Sequence, residues 1–170
     1  KTAYEIKECD WIRRVLFRSV RDDGRTVYDS PVIVELLEGL VPEPRLIPAD
    51  FESRIEVKRW EALGDGIADA TVLVSHDLRE PEAQRKPAAW YAKQRQKIQR
   101  GLAAMERDLG PREFCFGDRF SLADIAAGFA LGYLDFALPD TDWRRDCPNL
   151  TRLEARLAAR PSFVATKPVV

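Results

Sequence analysis

The chain has 170 residues, of which 45% are apolar, and its 27 Lys and Arg balance 28 Asp and Glu to a formal net charge of −1. This composition predicts one domain or two small ones, without a membrane-spanning segment, and the balanced charge argues against binding of nucleic acid or of an anionic membrane. Three scattered cysteines (Cys9, Cys115 and Cys147) favour a reducing, cytoplasmic compartment over a disulfide scaffold, and no metal site is expected beside the single histidine, His76.

The segment 1–19, KTAYEIKECDWIRRVLFRS, has neither a helical nor an alternating apolar period. Its ends, KTAYEI and RVLFRS, match the translation of a common sequencing-library adaptor if the reading frame slips between them. We therefore hypothesise that residues 1–19 are non-native and leave them out of the fold prediction. The alternative is an unusual natural N-terminus, and amplification of the gene from source DNA would distinguish the two.

The next stretch predicts a β-hairpin followed by a helix. Asp23-Gly24 is a hairpin-turn signal between short strands at Val20–Arg21 and Arg25–Tyr28. The helix is expected from Pro31 to about residue 38, with Gly39 as its end.

Asp29 and Ser30 stand at the start of this helix and allow two interpretations. In the first, Ser30 is the N-cap and Pro31 takes the first helical position. In the second, the helix start binds a ligand: free N–H groups and the Ser30 hydroxyl hold a carboxylate, while Asp29 holds an ammonium group. The second arrangement fits the head group of an α-amino acid. The residues alone favour the first, because most such motifs only start helices.

A proline-rich linker at 41–49 precedes a helical region that extends from residue 50 towards the end of the chain. Helices are expected over Phe51–Leu78, Ala88–Leu109, 120–136 and Asn149–Ala159. Asp65, Asp69 and His76 recur at helical steps on the face opposite Trp60. We interpret them as a solvated or interface face rather than a metal or acid–base site, and the Lys, Arg and Gln side chains of the second helix as a solvated face.

The helix at 120–136, FSLADIAAGFALGYLDF, carries the clearest local signal. Ser121 and Asp124 have the spacing of a capping box. The helix is apolar almost all round, which predicts burial on every side. Gly128 and Gly132, four residues apart, predict the close approach of a second backbone.

The chain contains four features in a specific order: a β-stub, a Ser-Pro helix, a proline-rich linker and an all-α region with a capping-box helix. The arrangement resembles the glutathione S-transferase family, through the stretches YDSPVIVELLEGL, LIP, WEALGDGIADA, FSLADIAAGFALGYLDF and PNLTRLEARLAARPSF. The resemblance implies a mostly α fold. The all-α C-terminal domain would occupy 50–170, and 20–40 would be a β-hairpin-plus-helix remnant of the thioredoxin-like α/β domain.

The resemblance also implies a function. Glutathione would be the substrate, Asp29 and Ser30 would bind its γ-glutamyl head group, and Asp65 would reach the glutathione of the partner subunit in a homodimer. The family's thiol-activating Ser, Tyr or Cys has no counterpart here, so we expect the intact parent to conjugate glutathione to small electrophiles and this chain to be inactive, with its dimerisation left open. The alternatives are a non-catalytic interaction module related to this family and a generic all-α binding domain.

Overall fold

The computed structural model describes residues 18–41 and 43–167, apart from the side chain at position 18. Helices make up most of the described chain, which confirms the mostly α prediction. The chain divides into two compact units between Leu46 and Ile47, within the stretch predicted to be a linker. In the part of the chain that the structure describes, no helix combines the length and the apolar character needed to cross a membrane.

The first unit begins with an antiparallel pair of strands, β1 (Arg18–Val20) and β2 (Thr26–Tyr28). Gly24 has φ +79° and donates its N–H to the Arg21 carbonyl at 2.9 Å, which closes the predicted turn. This turn places Arg21 in the loop, so the strand predicted at Val20–Arg21 instead covers 18–20. Residues 18 and 19, the last two of the segment that we interpreted as non-native, pair with β2 and are part of the fold. The rest of the adaptor-like segment lies outside the described residues.

Helix α1 (Ser30–Leu40) follows β2 after a single residue. It continues through Gly39, the predicted end, because its hydrogen-bond ladder extends to the Val41 N–H, which donates to the Leu37 carbonyl at 3.1 Å. None of its residues is buried, and Val32 is more than half exposed.

The second unit is built from helices: α2 (Phe51–Leu78), α3 (Ala88–Leu109), α4 (Leu122–Ala137), α5 (Pro148–Ala158) and α6 (Pro161–Ala165), with a 3-10 turn at Glu82–Gln84. The predicted bounds of α2 and α3 agree with the structure. Helix α6 was not predicted, because a helix of five residues is too short to show an apolar period.

The core of the second unit lies where α2 packs against α3 and α4. Its largest fully buried side chains include Trp60, Ile67, Met105, Leu131 and Leu134. A Cβ atom at Gly64 would lie 2.8 Å from the carbonyl oxygen of Ala126, so α2 and α4 approach closely at this glycine. The predicted backbone approach at Gly128 and Gly132 is wrong: a Cβ at Gly128 would meet the Phe163 ring of α6, and the space around Gly132 is empty.

Helix α4 is buried on most of its surface but not on all of it. Phe129 is 54% exposed and Phe136 is 44% exposed, with Tyr133 between them and its ring centroid 5.9 Å from that of Phe129. The prediction of burial on every side is therefore wrong for the second unit. An apolar helix sequence shows that its faces can be buried, but the positions of the neighbouring helices α2, α5 and α6 determine which faces are covered.

Candidate functional site

The start of α1 is the most unusual backbone position among the described residues. β2 ends at Tyr28 and α1 begins at Ser30, so Asp29 alone redirects the chain. Its dihedral angles are φ 71° and ψ 135°, and it is the one non-glycine residue with positive φ in the described part of the chain. Such a conformation costs about 1–3 kcal/mol and is concentrated at functional sites.

The structure contradicts the capping interpretation of Ser30. Asp29 takes the N-cap position and its side chain makes no capping hydrogen bond, while Ser30 is already the first helical residue. The reason is the short junction, which starts the helix one residue earlier than Pro31 suggested. The exposed Asp29 carboxylate is therefore not used to hold the helix start. At the start of α2, by contrast, the Asp50 carboxylate accepts the Ser53 N–H at 2.9 Å.

The electrostatics of this helix start suit an amino-acid head group. The acid nearest the positive end of the helix dipole is Asp29 at the N-cap, and the first turn of α1 itself contains no acidic residue. The Ser30 N–H and hydroxyl can donate hydrogen bonds to a carboxylate. The adjacent Asp29 carboxylate can accept from an ammonium group. The donors of Ser30 and the carboxylate of Asp29 thus match the carboxylate and the ammonium group of an α-amino acid.

Asp65, Asp69 and His76 lie on α2 in the second unit, as predicted. Asp65 and His76 are half-buried and Asp69 is exposed, and each of the three interacts with neighbouring groups. Across residues 18–41 and 43–167, no three His, Cys, Asp or Glu side chains lie close enough together to hold a metal ion.

The capping box is a buried structural site. The fully buried Asp124 carboxylate accepts the Ser121 N–H at 2.9 Å and the Ser121 hydroxyl at 3.0 Å. Its other oxygen accepts the Cys115 N–H at 2.9 Å, which joins the preceding loop to the start of α4. Burial, reinforced by the neighbouring Asp124, raises the pKa of the Cys115 thiol far above its usual range. Cys115 is therefore an unreactive thiol.

Sequence reasoning missed a second carboxylate that caps a helix from outside. Glu106 of α3 accepts the Asn149 N–H at 3.0 Å and the Leu150 N–H at 2.9 Å, which are donors in the first turn of α5. The cap position itself holds Cys147, whose side chain makes no capping bond. A poor capping residue ahead of a Pro-started helix was the available signal, but sequence could not show which acid supplies the acceptor.

The sequence and the fold of this chain are similar to those of known proteins. Residues 88–156 match the family model of the glutathione S-transferase C-terminal domain. An uncharacterised GST-like protein of Escherichia coli (strain K12), YibF, is 35% identical over 149 residues, which cover 88% of this chain and 73% of YibF. A glutathione S-transferase from Methylobacterium radiotolerans, solved in complex with glutathione sulfonate, is 45% identical with a TM-score of 0.84, covering 90% of this chain and 72% of that one. A glutathione S-transferase from Methylobacillus flagellatus, solved with glutathione bound, is also 45% identical with a TM-score of 0.84, covering 88% and 74%.

Proposed function

The chain belongs to the glutathione S-transferase family, and from this premise we propose that Asp29 and Ser30 bind the γ-glutamyl end of glutathione and that the intact parent protein transfers the glutathione thiol to small electrophiles. The observation that carries the proposal is the strained backbone at Asp29. A glycine would adopt φ 71° at lower cost. An acid at this position, with a carboxylate that caps nothing, is explained by a ligand that the carboxylate binds.

In this proposal the residues of the chain orient the substrate. The Ser30 N–H and hydroxyl donate to the α-carboxylate of the γ-glutamyl group, and the Asp29 carboxylate accepts from its α-ammonium. This fixes one end of the tripeptide, so that the cysteinyl thiol is presented in a defined position. In the reaction the thiol first gives its proton to a base or to solvent, and the thiolate sulfur then forms a bond to the electrophilic carbon. As this bond forms, the bond to the leaving group breaks and its electron pair departs with that group; in an addition, the π electrons instead move to the neighbouring atom, which takes up a proton.

The binding proposal is tested by titrating glutathione into the ¹⁵N-labelled chain and following its amide signals by NMR. This method detects binding even when the dissociation constant is in the millimolar range. We expect the amide signals of Ser30 and Val32 to shift, and Asp29→Asn to weaken binding by about 10- to 100-fold, because a charge-assisted hydrogen bond contributes about 1.5–3 kcal/mol. Asp50→Asn is the matched control: it removes an acid at another helix start and should leave the affinity unchanged. An equal effect of the two variants, or no shift at millimolar glutathione, would refute the proposal.

A further inference from the structure

The outward face of α3 is a strongly cationic surface on an otherwise balanced chain. The sixteen residues from Arg85 to Arg100 contain six Lys and Arg and no Asp or Glu. Lys93, Lys97 and Arg100 are exposed and recur at positions i, i+4 and i+7 of α3. They therefore form one line along the helix, with successive charges about 5–6 Å apart along the axis. We call these three residues the cationic stripe.

The charges of the stripe are not neutralised by neighbouring acids. Elsewhere in the second unit, cations are paired: Arg59 lies 2.7 Å from Asp108, and Arg144 lies 2.6 Å from Asp135. Within residues 18–41 and 43–167, the stripe residues make no ion pair. The net charge of −1 is a sum over the whole chain and does not show this local concentration of positive charge. A ligand at the surface is influenced mainly by charges within about 10 Å.

The side chains beside the stripe favour one kind of polyanion. Trp90, one helical turn before Lys93, is half-exposed, with its ring edge-on to Tyr91 at a centroid distance of 5.3 Å. Gln96 and Gln99 are exposed between the charges and offer both donors and acceptors. An aromatic ring beside a row of cations is the arrangement by which proteins bind single-stranded nucleic acid: cations contact phosphates and a base stacks on the ring.

The same face lacks what other anionic partners need. Apart from the half-exposed ring of Trp90, α3 exposes no large apolar side chain, so the face lacks the apolar area that bilayer insertion or the centre of a typical protein–protein interface requires. We therefore propose that the cationic stripe and Trp90 bind single-stranded nucleic acid without sequence preference. This proposal is independent of the glutathione site, and it reverses the expectation drawn from net charge.

Three phosphate contacts predict a measurable salt dependence. For a single strand, log K falls with log[salt] with a slope of about −0.7 per contact, which gives about −2 for the stripe. Raising the salt from 50 to 200 mM should therefore weaken binding by about 20-fold.

The test measures fluorescence anisotropy of labelled 12-nucleotide oligo-U RNA and oligo-T DNA with the full chain. The stripe variant is Lys93→Gln, Lys97→Gln and Arg100→Gln combined. Its control, Arg79→Gln, Arg119→Gln and Lys167→Gln combined, removes the same charge from exposed positions elsewhere. We expect the stripe variant to lose at least 20-fold in affinity and most of the salt slope, and the control to stay within about 3-fold.

Trp90→Leu tests the stacking contact, with an expected loss of about 5- to 50-fold and loss of the tryptophan quenching that nucleic acid causes in the unmodified chain. Trp90→Phe should retain most of the affinity. If the stripe and Trp90 variants both lose affinity, binding of oligo-U but not of oligo-T identifies the ligand as RNA. Equal binding of both oligonucleotides identifies it as single-stranded nucleic acid of either kind. The proposal would be overturned by absence of binding at 50 mM salt or by equal losses of affinity in the stripe and control variants. It would also be overturned if poly-glutamate or phosphatidylglycerol vesicles bound as tightly as the oligonucleotides and Trp90→Leu did not weaken that binding.

Discussion

Replacing Asp124 by alanine tests how far one buried carboxylate holds the second unit together. Asp124 is fully buried and accepts hydrogen bonds from the backbone N–H groups of Ser121 and Cys115 and from the Ser121 hydroxyl. In Asp124→Ala the hydroxyl can rotate towards another acceptor, but the two N–H groups remain buried and unpaired. At about 1–3 kcal/mol for each of the two orphaned donors, we expect the free energy of unfolding to fall by about 2–6 kcal/mol.

A loss of this size is a large part of the stability of a typical domain, about 5–15 kcal/mol. It is measured by urea unfolding followed by circular dichroism. Asp124→Asn retains one acceptor oxygen and should lose about half as much, whereas Asp118→Ala, at an exposed position in the preceding loop, should change stability by less than about 0.5 kcal/mol. A loss below about 1 kcal/mol in Asp124→Ala would refute the reasoning, because the two donors would then have found water or other partners.

Three further predictions follow from the described contacts. Asp29→Gly should slow amide hydrogen exchange in α1, because it relieves a strain of about 1–3 kcal/mol, and should still weaken glutathione binding; faster exchange would show that the backbone was not strained. Glu106→Gln should lower the free energy of unfolding by about 1–2 kcal/mol in urea, because one of its two backbone bonds to α5 is lost. Burial and nearby Glu106 raise the pKa of Cys147 to about 11, so alkylation of Cys147 should accelerate about tenfold per pH unit between pH 8 and 10; a plateau below pH 10 would contradict this.

Helix bounds were predictable where local chemistry sets them. α3 is preceded by Pro87 and followed by Gly110-Pro111, and the structure places its ends at the predicted residues. The start of α1 was not predictable, because it depends on where β2 ends, and the register of that strand is set by the turn around Gly24. The exposed Phe129 face of α4 was missed for a different reason: its coverage depends on neighbouring helices, and a single sequence does not show them.

The site was only partly predictable for a related reason. The sequence identified Asp29 and Ser30 as a candidate ligand site and offered capping as the competing explanation. The sequence alone cannot decide between them, because Asp-Ser-Pro at a helix start is compatible both with a capping Ser30 and with a ligand-binding pair. The Glu106 cap of α5 was invisible in the sequence, since its acceptor and donors are more than forty residues apart.

Four acidic residues lie at a helix start or against one, and they divide into those that stabilise the fold and one that we propose binds a ligand. Asp50, Asp124 and Glu106 each accept backbone N–H groups of a first turn or its cap, so their removal should cost stability. The carboxylate of Asp29 accepts none, and the backbone of this residue is strained, so removal of the carboxylate should cost binding and not stability. A variant series at these four positions therefore yields two opposite patterns of unfolding free energy and glutathione affinity. If Asp29 variants lost stability in proportion to affinity, the carboxylate would hold the fold rather than the ligand, and the proposed site would fail with it.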